Sequence, residues 1–265
     1  MILASDSWPA VTLAVAVCLG YAASAVAARR LRLSATRTNL ILTWLLHGVL
    51  IGVGLWGPAS RFGFAPALSM TAWLAMAIYA VESRVYPQLQ TRPAFPLMGA
   101  VAVVLALLFP GQPLHAAASP WLPLHLALGV ASYGLFAAAM AHAWLLSRAE
   151  NRIRHAAESH SGVPLLTLER LTFRFVTAGF VLLTATLLAG FLFDESLYGT
   201  VWKWNHKTVF SVLSWLTFAV LLMGRMRFGW RGRRAARMLY AGSGLLLLAY
   251  VGSRFVLEII LARHT

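Results

Sequence analysis

Long apolar runs separated by short polar connections dominate this chain. They lie at about residues 8–28, 39–56, 66–82, 94–110, 122–146, 172–193, 206–223 and 238–261. Each run approaches the roughly 20 residues that an α-helix needs to cross the hydrocarbon core of a bilayer. The pattern predicts an all-α protein, a polytopic transmembrane helical bundle of about eight spans, formed by a single integral membrane domain over residues 1–265.

The composition agrees with a lipid solvent. Hydrophobic side chains make up 60% of the chain and charged ones 11%, whereas soluble domains carry about 25% charged residues. The formal charge of +14 does not indicate nucleic-acid binding, because the basic residues sit in short loops and form no stripe between exposed aromatic residues. Some of the positive charge is expected to orient the chain in the membrane. The expected role of the remaining positive charge is contact with anionic membrane lipids.

The basic residues also predict the orientation of the chain. Most of them follow the first, third, fifth and seventh apolar runs, and few follow the others. Since short loops rich in Lys and Arg stay in the cytoplasm, both termini are predicted on the external, periplasmic side. The single cysteine, Cys18, lies in the first run, so this chain has no Cys-x-x-Cys pair for redox or haem-attachment chemistry.

Two histidines are predicted near the external face. With a rise of about 1.5 Å per residue, His125 lies roughly 35 Å outward from Arg148, and His206 roughly 28 Å outward from Arg225. A neutral imidazole is a good ligand for haem iron, and a membrane site gives the porphyrin apolar walls. The alternative for each residue is an ordinary hydrogen-bonding histidine at the membrane interface.

Two further histidines are predicted nearer the cytoplasm. His47 lies about 15 Å inward from Arg37, where an ionisable side chain is costly unless it is paired or functional. His142 shares a helix with His125 but lies about 25 Å from it, so these two residues cannot bind one iron. His47 is therefore a candidate haem ligand or proton-handling residue at a second level, with His142 as its loose partner.

Other residues near the outer histidines suit a flat macrocycle. Gly129 follows His125 by one helical turn, on the same face, and would let a porphyrin approach the helix. Aromatic side chains crowd around His206 and offer a surface for one porphyrin face, although tryptophans at this depth are also typical membrane-interface anchors. The aromatic candidates are Trp202, Trp204 and Trp215, and the cations placed to pair with propionates are Lys203, Lys207 and Arg61.

Two segments carry a resemblance to a known family. The stretch from Trp202 to Trp215 and the run Gly229-Trp230-Arg231-Gly232-Arg233-Arg234 resemble the tryptophan-rich haem-handling region of the cytochrome c assembly proteins of the CcsA and CcmC type, in particular a bacterial inner-membrane, YpjD-like branch. The resemblance implies a multi-pass protein of the bacterial inner (cytoplasmic) membrane that holds or delivers haem at the periplasmic face, through a region at about residues 198–237.

The resemblance also implies roles for individual residues. Trp202 and Trp204 correspond to the platform and His125 to an axial ligand, while His206 follows from its depth and from the His-Lys pattern of the branch. Asn205 stands where the family has an acidic residue, and His206 stands where it has a proline. The resemblance therefore implies haem binding, with haem b as the expected cofactor, more strongly than it implies formation of the thioether bonds between haem and a cytochrome. The expected partners are haem, membrane lipids and other inner-membrane or cytochrome maturation proteins.

Two alternatives use the same spans without haem. In the first, the protein is a transporter or a transporter-associated accessory subunit, and His47, Arg254 and Glu258 line a polar path. In the second, it is a scaffold whose glycine-rich spans pack against a partner membrane protein. The sequence predicts no catalytic residue. The candidate cofactor-binding residues are His125, His206, His47, Trp202, Trp204, Trp215 and Gly129, with His125, His206, His47 and, as a further candidate, His142 as iron ligands.

Overall fold

The computed structural model describes residues 8–27, 33–56, 61–85, 94–113, 121–154, 165–198 and 205–256. Nearly all of these residues are helical. The helices are α1 (Trp8–Ala27), α2 (Leu33–Trp56), α3 (Phe64–Val85), α4 (Ala94–Leu108), α5 (Leu122–Arg154), α6 (Leu165–Tyr198), α7 (His206–Phe228) and α8 (Gly232–Leu247), and α8 runs on into a π-helical segment (Leu248–Gly252) and a final turn, α9 (Ser253–Phe255).

The prediction of an all-α polytopic bundle is confirmed. Among the described residues, seven helices are long and apolar enough to cross a membrane, and α4 is a shorter apolar helix. The structure differs from the hydropathy pattern mainly in α5 and α6, which are 33 and 34 residues long. The extension of α5 is rich in Arg and Glu, which are good helix formers in water, and α6 begins and ends with polar residues among leucines.

The chain divides into two compact units, the first built mainly from α1–α4 and the second from α5–α8. In the first unit, consecutive helices run antiparallel. The Asn39 side-chain amide of α2 donates hydrogen bonds to the Gly20 carbonyl (2.9 Å) and the Ser24 hydroxyl (2.8 Å) of α1. Two short strands, β1 (Arg61–Phe62) and β2 (Gln112–Pro113), pair antiparallel and tie the start of α3 to the end of α4.

A reciprocal tryptophan pair joins α2 to α3. The Trp44 indole N–H donates to the Trp73 carbonyl at 3.0 Å, and the Trp73 indole N–H donates to the Trp44 carbonyl at 2.9 Å. The two rings stack with centroids 4.8 Å apart and planes 2° from parallel. Gly48 makes room for the Trp73 ring, since a Cβ there would lie 3.2 Å from it. Both tryptophans are half-buried, and both of their indole N–H groups have a hydrogen-bond acceptor.

The second unit is a four-helix bundle with one aromatic layer at its centre. The Phe136 ring of α5 stacks on the Phe218 ring of α7, with centroids 3.9 Å apart and planes 3° from parallel. Each ring also covers a glycine of the other pair of helices: a Cβ on Gly179 of α6 would lie 3.0 Å from Phe136, and one on Gly242 of α8 would lie 2.9 Å from Phe218. Large rings against glycines let all four helices approach closely, as is common in membrane bundles.

Contacts above and below this layer fix the direction of each helix. Helix α5 runs antiparallel to α6 and to α8, and α7 runs antiparallel to both of them. The start of α5, the end of α6, the start of α7 and the end of α8 therefore lie at one end of the unit. The contacts that show this are His125 with Gly190, Gly129 with Thr186, His142 with Phe175, Tyr133 with Leu246, Trp215 with Thr184, and Ser214 with Gly242.

We expect two glycines of this unit to respond in opposite ways to replacement by alanine. A Cβ on Gly224 would overlap the Trp230 ring, whereas one on Gly244 would meet no atom within 4 Å. Both substitutions gain helix propensity, about 1 kcal/mol, but overpacking costs about 1–3 kcal/mol. Gly244→Ala should therefore raise the free energy of unfolding in detergent, and Gly224→Ala should lower it. Equal stabilisation by the two variants would show that Trp230 does not pack on Gly224.

Candidate functional site

His125 lies in the first turn of α5, and its ring rests against α6. Gly190 of α6 makes room for it, since a Cβ there would lie 3.4 Å from the imidazole Cε1. The imidazole also forms a hydrogen bond with the backbone of Thr186, one turn earlier on α6. The side chain is thus half-buried in a notch that a glycine provides and is held by a backbone group.

Gly129 lies one turn further along α5, on the same face as His125. A Cβ at Gly129 would lie 3.7 Å from the Thr186 Cγ2 atom, an ordinary van der Waals distance, so this face is turned toward Thr186 of α6. The sequence predicted that Gly129 leaves space for a flat macrocycle. In the structure, Thr186 of α6 faces this position, and the distance is one that a methyl group at residue 129 would also allow.

His206 is the first residue of α7, and its side chain is exposed. The preceding Asn205 is the N-cap of the helix: its side-chain oxygen accepts hydrogen bonds from the Thr208 N–H at 3.0 Å and the Thr208 hydroxyl at 3.2 Å. An amide oxygen satisfies the unpaired N–H groups of a first turn as a carboxylate does. The replacement of the family's acidic residue by Asn205 therefore keeps a capping side chain at the point where α7 begins.

The helix register places His125 and His206 at nearly the same level of the bundle. Trp215 of α7 contacts Thr184 of α6, its indole N–H donating to the hydroxyl at 2.9 Å. Since α6 and α7 are antiparallel, moving nine residues back along α7 to His206 corresponds to nine residues forward along α6, about three residues beyond Gly190. His125 lies beside Gly190, so the two histidines differ in depth by roughly 5 Å.

The three candidate tryptophans fall into two groups. Trp202 and Trp204 lie outside the described residues. Trp215 is fixed inside the bundle, where it stacks on Phe180 with centroids 5.5 Å apart and donates its N–H to Thr184. Nine residues of helix separate it from His206, which is about 14 Å, so its ring forms part of the α6–α7 interface below that histidine.

The last helix changes its hydrogen-bond pattern at the same end of the unit. Residues Leu248–Gly252 form a π-helical segment, and the Ser253 N–H donates to the Leu248 carbonyl. The Tyr133 hydroxyl of α5 donates to the Leu246 carbonyl just before this segment. Single π turns within α-helices often lie at functional sites. Sequence reasoning missed this feature, because no residue type in the segment distinguishes a π turn from an α turn.

His47 is fully buried in the first unit, and both of its ring nitrogens have hydroxyl partners. Nδ1 lies 3.0 Å from the Tyr21 hydroxyl of α1, and Nε2 lies 2.8 Å from the Ser69 hydroxyl of α3. A neutral imidazole has one N–H and one lone pair, so one hydroxyl donates to the ring and the other accepts from it. To bind iron, His47 would have to exchange one of these hydroxyls for the metal.

His142 is buried between α5 and α6, near the other end of the second unit. Its Nδ1 lies 2.8 Å from the Ala138 carbonyl, and its ring lies 5.4 Å from that of Phe175. A carbonyl only accepts hydrogen bonds, so the Nδ1 atom carries the proton in the neutral ring. Seventeen residues of α5 separate His142 from His125, about 25 Å, and the two histidines belong to different sites.

The donor set fits a haem better than a bare metal ion. Within the described ranges, no three side chains of His, Cys, Asp or Glu gather into a cluster that could hold a metal. Haem iron already has four porphyrin nitrogens and needs at most two axial ligands, which single histidines from two helices provide.

Comparison with known proteins identifies the family of this chain. A family model described as cytochrome C assembly protein matches residues 33–261. The inner membrane protein YpjD of Escherichia coli K12 is 32% identical over 196 residues, which are 73% of each chain. The cytochrome c biogenesis protein CcsA of Prochlorococcus marinus strain MED4 is 37% identical over 89 residues, and that of Synechococcus strain JA-2-3B'a(2-13) is 35% identical over 89 residues.

These matches differ in extent. Those to the two CcsA proteins cover 34% of this chain and 28% or 25% of theirs, whereas the family model covers most of the chain. The resemblance and the inner-membrane localisation expected from the sequence are confirmed. This chain belongs to the cytochrome c assembly protein family and is a multi-pass protein of the inner membrane.

Proposed function

We propose that this protein binds haem at the predicted periplasmic end of the α5–α8 bundle and holds or delivers it there during cytochrome c assembly. One observation carries the proposal: His125 and His206, on different helices, lie at the same end of the bundle and within about one helical turn in depth. The family match supports the ligand, and the CcsA relatives are named for cytochrome c biogenesis.

The two histidines differ in how accessible they are to a ligand. His206 is exposed at a capped helix start, so a ligand reaches it without disturbing the packing of the bundle. His125 lies half-buried in the Gly190 notch against α6, and its ring would have to leave that notch to reach an iron shared with His206. We infer that His125 turns out of this notch when haem, taken here as haem b, is bound.

The remaining candidates have supporting roles in this proposal. Trp202 and Trp204 form the aromatic platform, and Lys203 and Lys207 pair with the propionates. Trp215 acts indirectly, because it fixes α7 against α6. Gly129 faces Thr186 of α6 one turn from His125. Haem supplies the iron and the macrocycle, and the protein supplies ligands, an aromatic surface and cations.

Loss of either outer histidine should remove most of the bound haem. In the protein purified in detergent after expression with ample haem, we expect His125→Ala and His206→Ala each to lower the Soret absorbance per protein. Even residues that only hydrogen-bond a metal ligand contribute 10–100-fold to metal affinity, so loss of a ligand should cost at least about tenfold. The matched control is His160→Ala, because His160 lies in the connection after the fifth apolar run, which its arginines predict to be cytoplasmic.

Three outcomes would contradict the proposal. The wild-type protein could carry no haem, or both variants could retain it in full. Alternatively, haem loss confined to His47→Ala and His142→Ala would show that the iron ligands are the two histidines predicted nearer the cytoplasm. Size-exclusion profiles of each variant separate loss of ligand from loss of fold.

His47 should also contribute strongly to stability, whether or not it binds haem. Removing its ring leaves the buried Tyr21 and Ser69 hydroxyls without their partner, and each unsatisfied group costs about 1–3 kcal/mol. We expect His47→Ala to lower the free energy of unfolding in detergent by about 2–4 kcal/mol, and Tyr21→Phe by less, because it removes one hydrogen bond only. Unchanged unfolding in His47→Ala would show that this network does not form.

A further inference from the structure

A wide groove rich in arginine lies at the end of the second unit opposite to His125 and His206. Its volume is about 760 Å³, and it opens between α6 and the α7–α8 turn. We call it the arginine groove. It is lined by four arginines, Arg170, Arg174, Arg225 and Arg231, one carboxylate, Glu169, and apolar side chains that include Leu166 and Phe173.

The single carboxylate of the groove is already bound. Glu169 is buried, and one of its oxygens forms ion pairs with the Arg225 guanidinium and with the Arg231 Nε atom, the latter at 3.3 Å. Arg225 also lies over the Phe173 ring, 4.6 Å from its centroid. Glu169 thus neutralises one positive charge, fixes two guanidinium groups, and leaves a net charge of about +3 in the groove.

The other two arginines project from one face of α6. Arg170 and Arg174 are four residues apart, exposed, and without an ion pair to any residue in the described part of the chain. Like charges at this spacing repel each other and destabilise a helix slightly. An anion bound between them would relieve that repulsion.

The turn between α7 and α8 positions Arg231 on the side of the groove opposite to α6. Gly229 ends α7 in the left-handed conformation (φ 61°), and Trp230 folds back over Gly224. The Arg234 guanidinium covers the Trp230 ring at 4.1 Å. The glycine–tryptophan–arginine run of the sequence therefore builds a rigid corner that directs Arg231 toward Glu169 on α6.

The chemistry of the groove fits a phosphate ester. Guanidinium groups bind phosphate oxygens through paired hydrogen bonds, and arginine is favoured wherever such planar recognition is needed. The groove is larger than a free phosphate requires, and its Leu166 side chain is 67% exposed. By the distribution of basic residues it lies at the cytoplasmic leaflet, where basic pockets between helices bind anionic headgroups.

We propose that the arginine groove is a binding site for the phosphate group of an anionic phospholipid from the cytoplasmic leaflet. Arg225 and Arg231, which Glu169 already holds, bind the phosphate from one side. Arg170 and Arg174 bind it from α6. The acyl chains lie along Leu166 and Phe173. This site is separate from the proposed haem site and does not depend on it.

Native mass spectrometry of the full chain in neutral detergent, titrated with phosphatidylglycerol, tests the proposal. We expect a tight site for phosphatidylglycerol and none for phosphatidylcholine. The variant Arg170→Gln/Arg174→Gln should raise the dissociation constant by about tenfold or more, given the contribution of each basic residue near an anionic lipid. The matched control Arg227→Gln/Arg237→Gln removes two exposed arginines at the same end, outside the groove, and should change the constant by less than about twofold.

Three results would overturn the proposal. Equal weakening of lipid binding in the two double variants would show that the lipid responds to overall charge. Unchanged binding in both would show that the lipid does not use the groove. Competition by glycerol 1-phosphate at the same concentration as the lipid would assign the groove to a soluble phosphate ester. If the double variant does not fold, Arg174→Gln against Arg237→Gln makes the same comparison.

Discussion

The stacked rings of Phe136 and Phe218, each lying over a glycine of a neighbouring helix, set the register of the α5–α8 bundle. Lipid chains are as apolar as the side chains themselves, so membrane helices associate through close packing rather than through the hydrophobic effect. A flat aromatic layer on Gly179 and Gly242 provides such packing. Because all four helices meet in this layer, the level of every other residue follows from its distance along the helix.

That register separates the bundle into two chemically different ends. One end carries His125, His206 and the π-helical segment, with imidazole side chains from two helices. The other carries the arginine groove around Glu169, with an excess of positive charge. The proposed haem site and the proposed lipid site thus lie at opposite ends of one packed core, and we expect a substitution at one site to leave the other in place.

The sequence predicted the helices, because hydropathy is a local property, and the helical rise alone gives the spacing of histidines along one helix. It did not predict what each side chain faces, since that depends on partners distant in sequence. The residues next to His47 in the sequence do not indicate its contacts with the Tyr21 and Ser69 hydroxyls. Those next to His125 do not indicate its contact with Gly190. Trp215, predicted as part of an aromatic surface near His206, is half-buried between α6 and α7 and donates a hydrogen bond to Thr184.

The most direct test of the central claim is a density map of the haem-loaded protein from electron cryomicroscopy. The account predicts planar density at the predicted periplasmic end of α5 and α7, with the His125 ring turned away from Gly190 and both His125 and His206 bonded to iron. Haem density beside His47 or His142, or a His125 ring still seated against Gly190 with iron bound elsewhere, would contradict it.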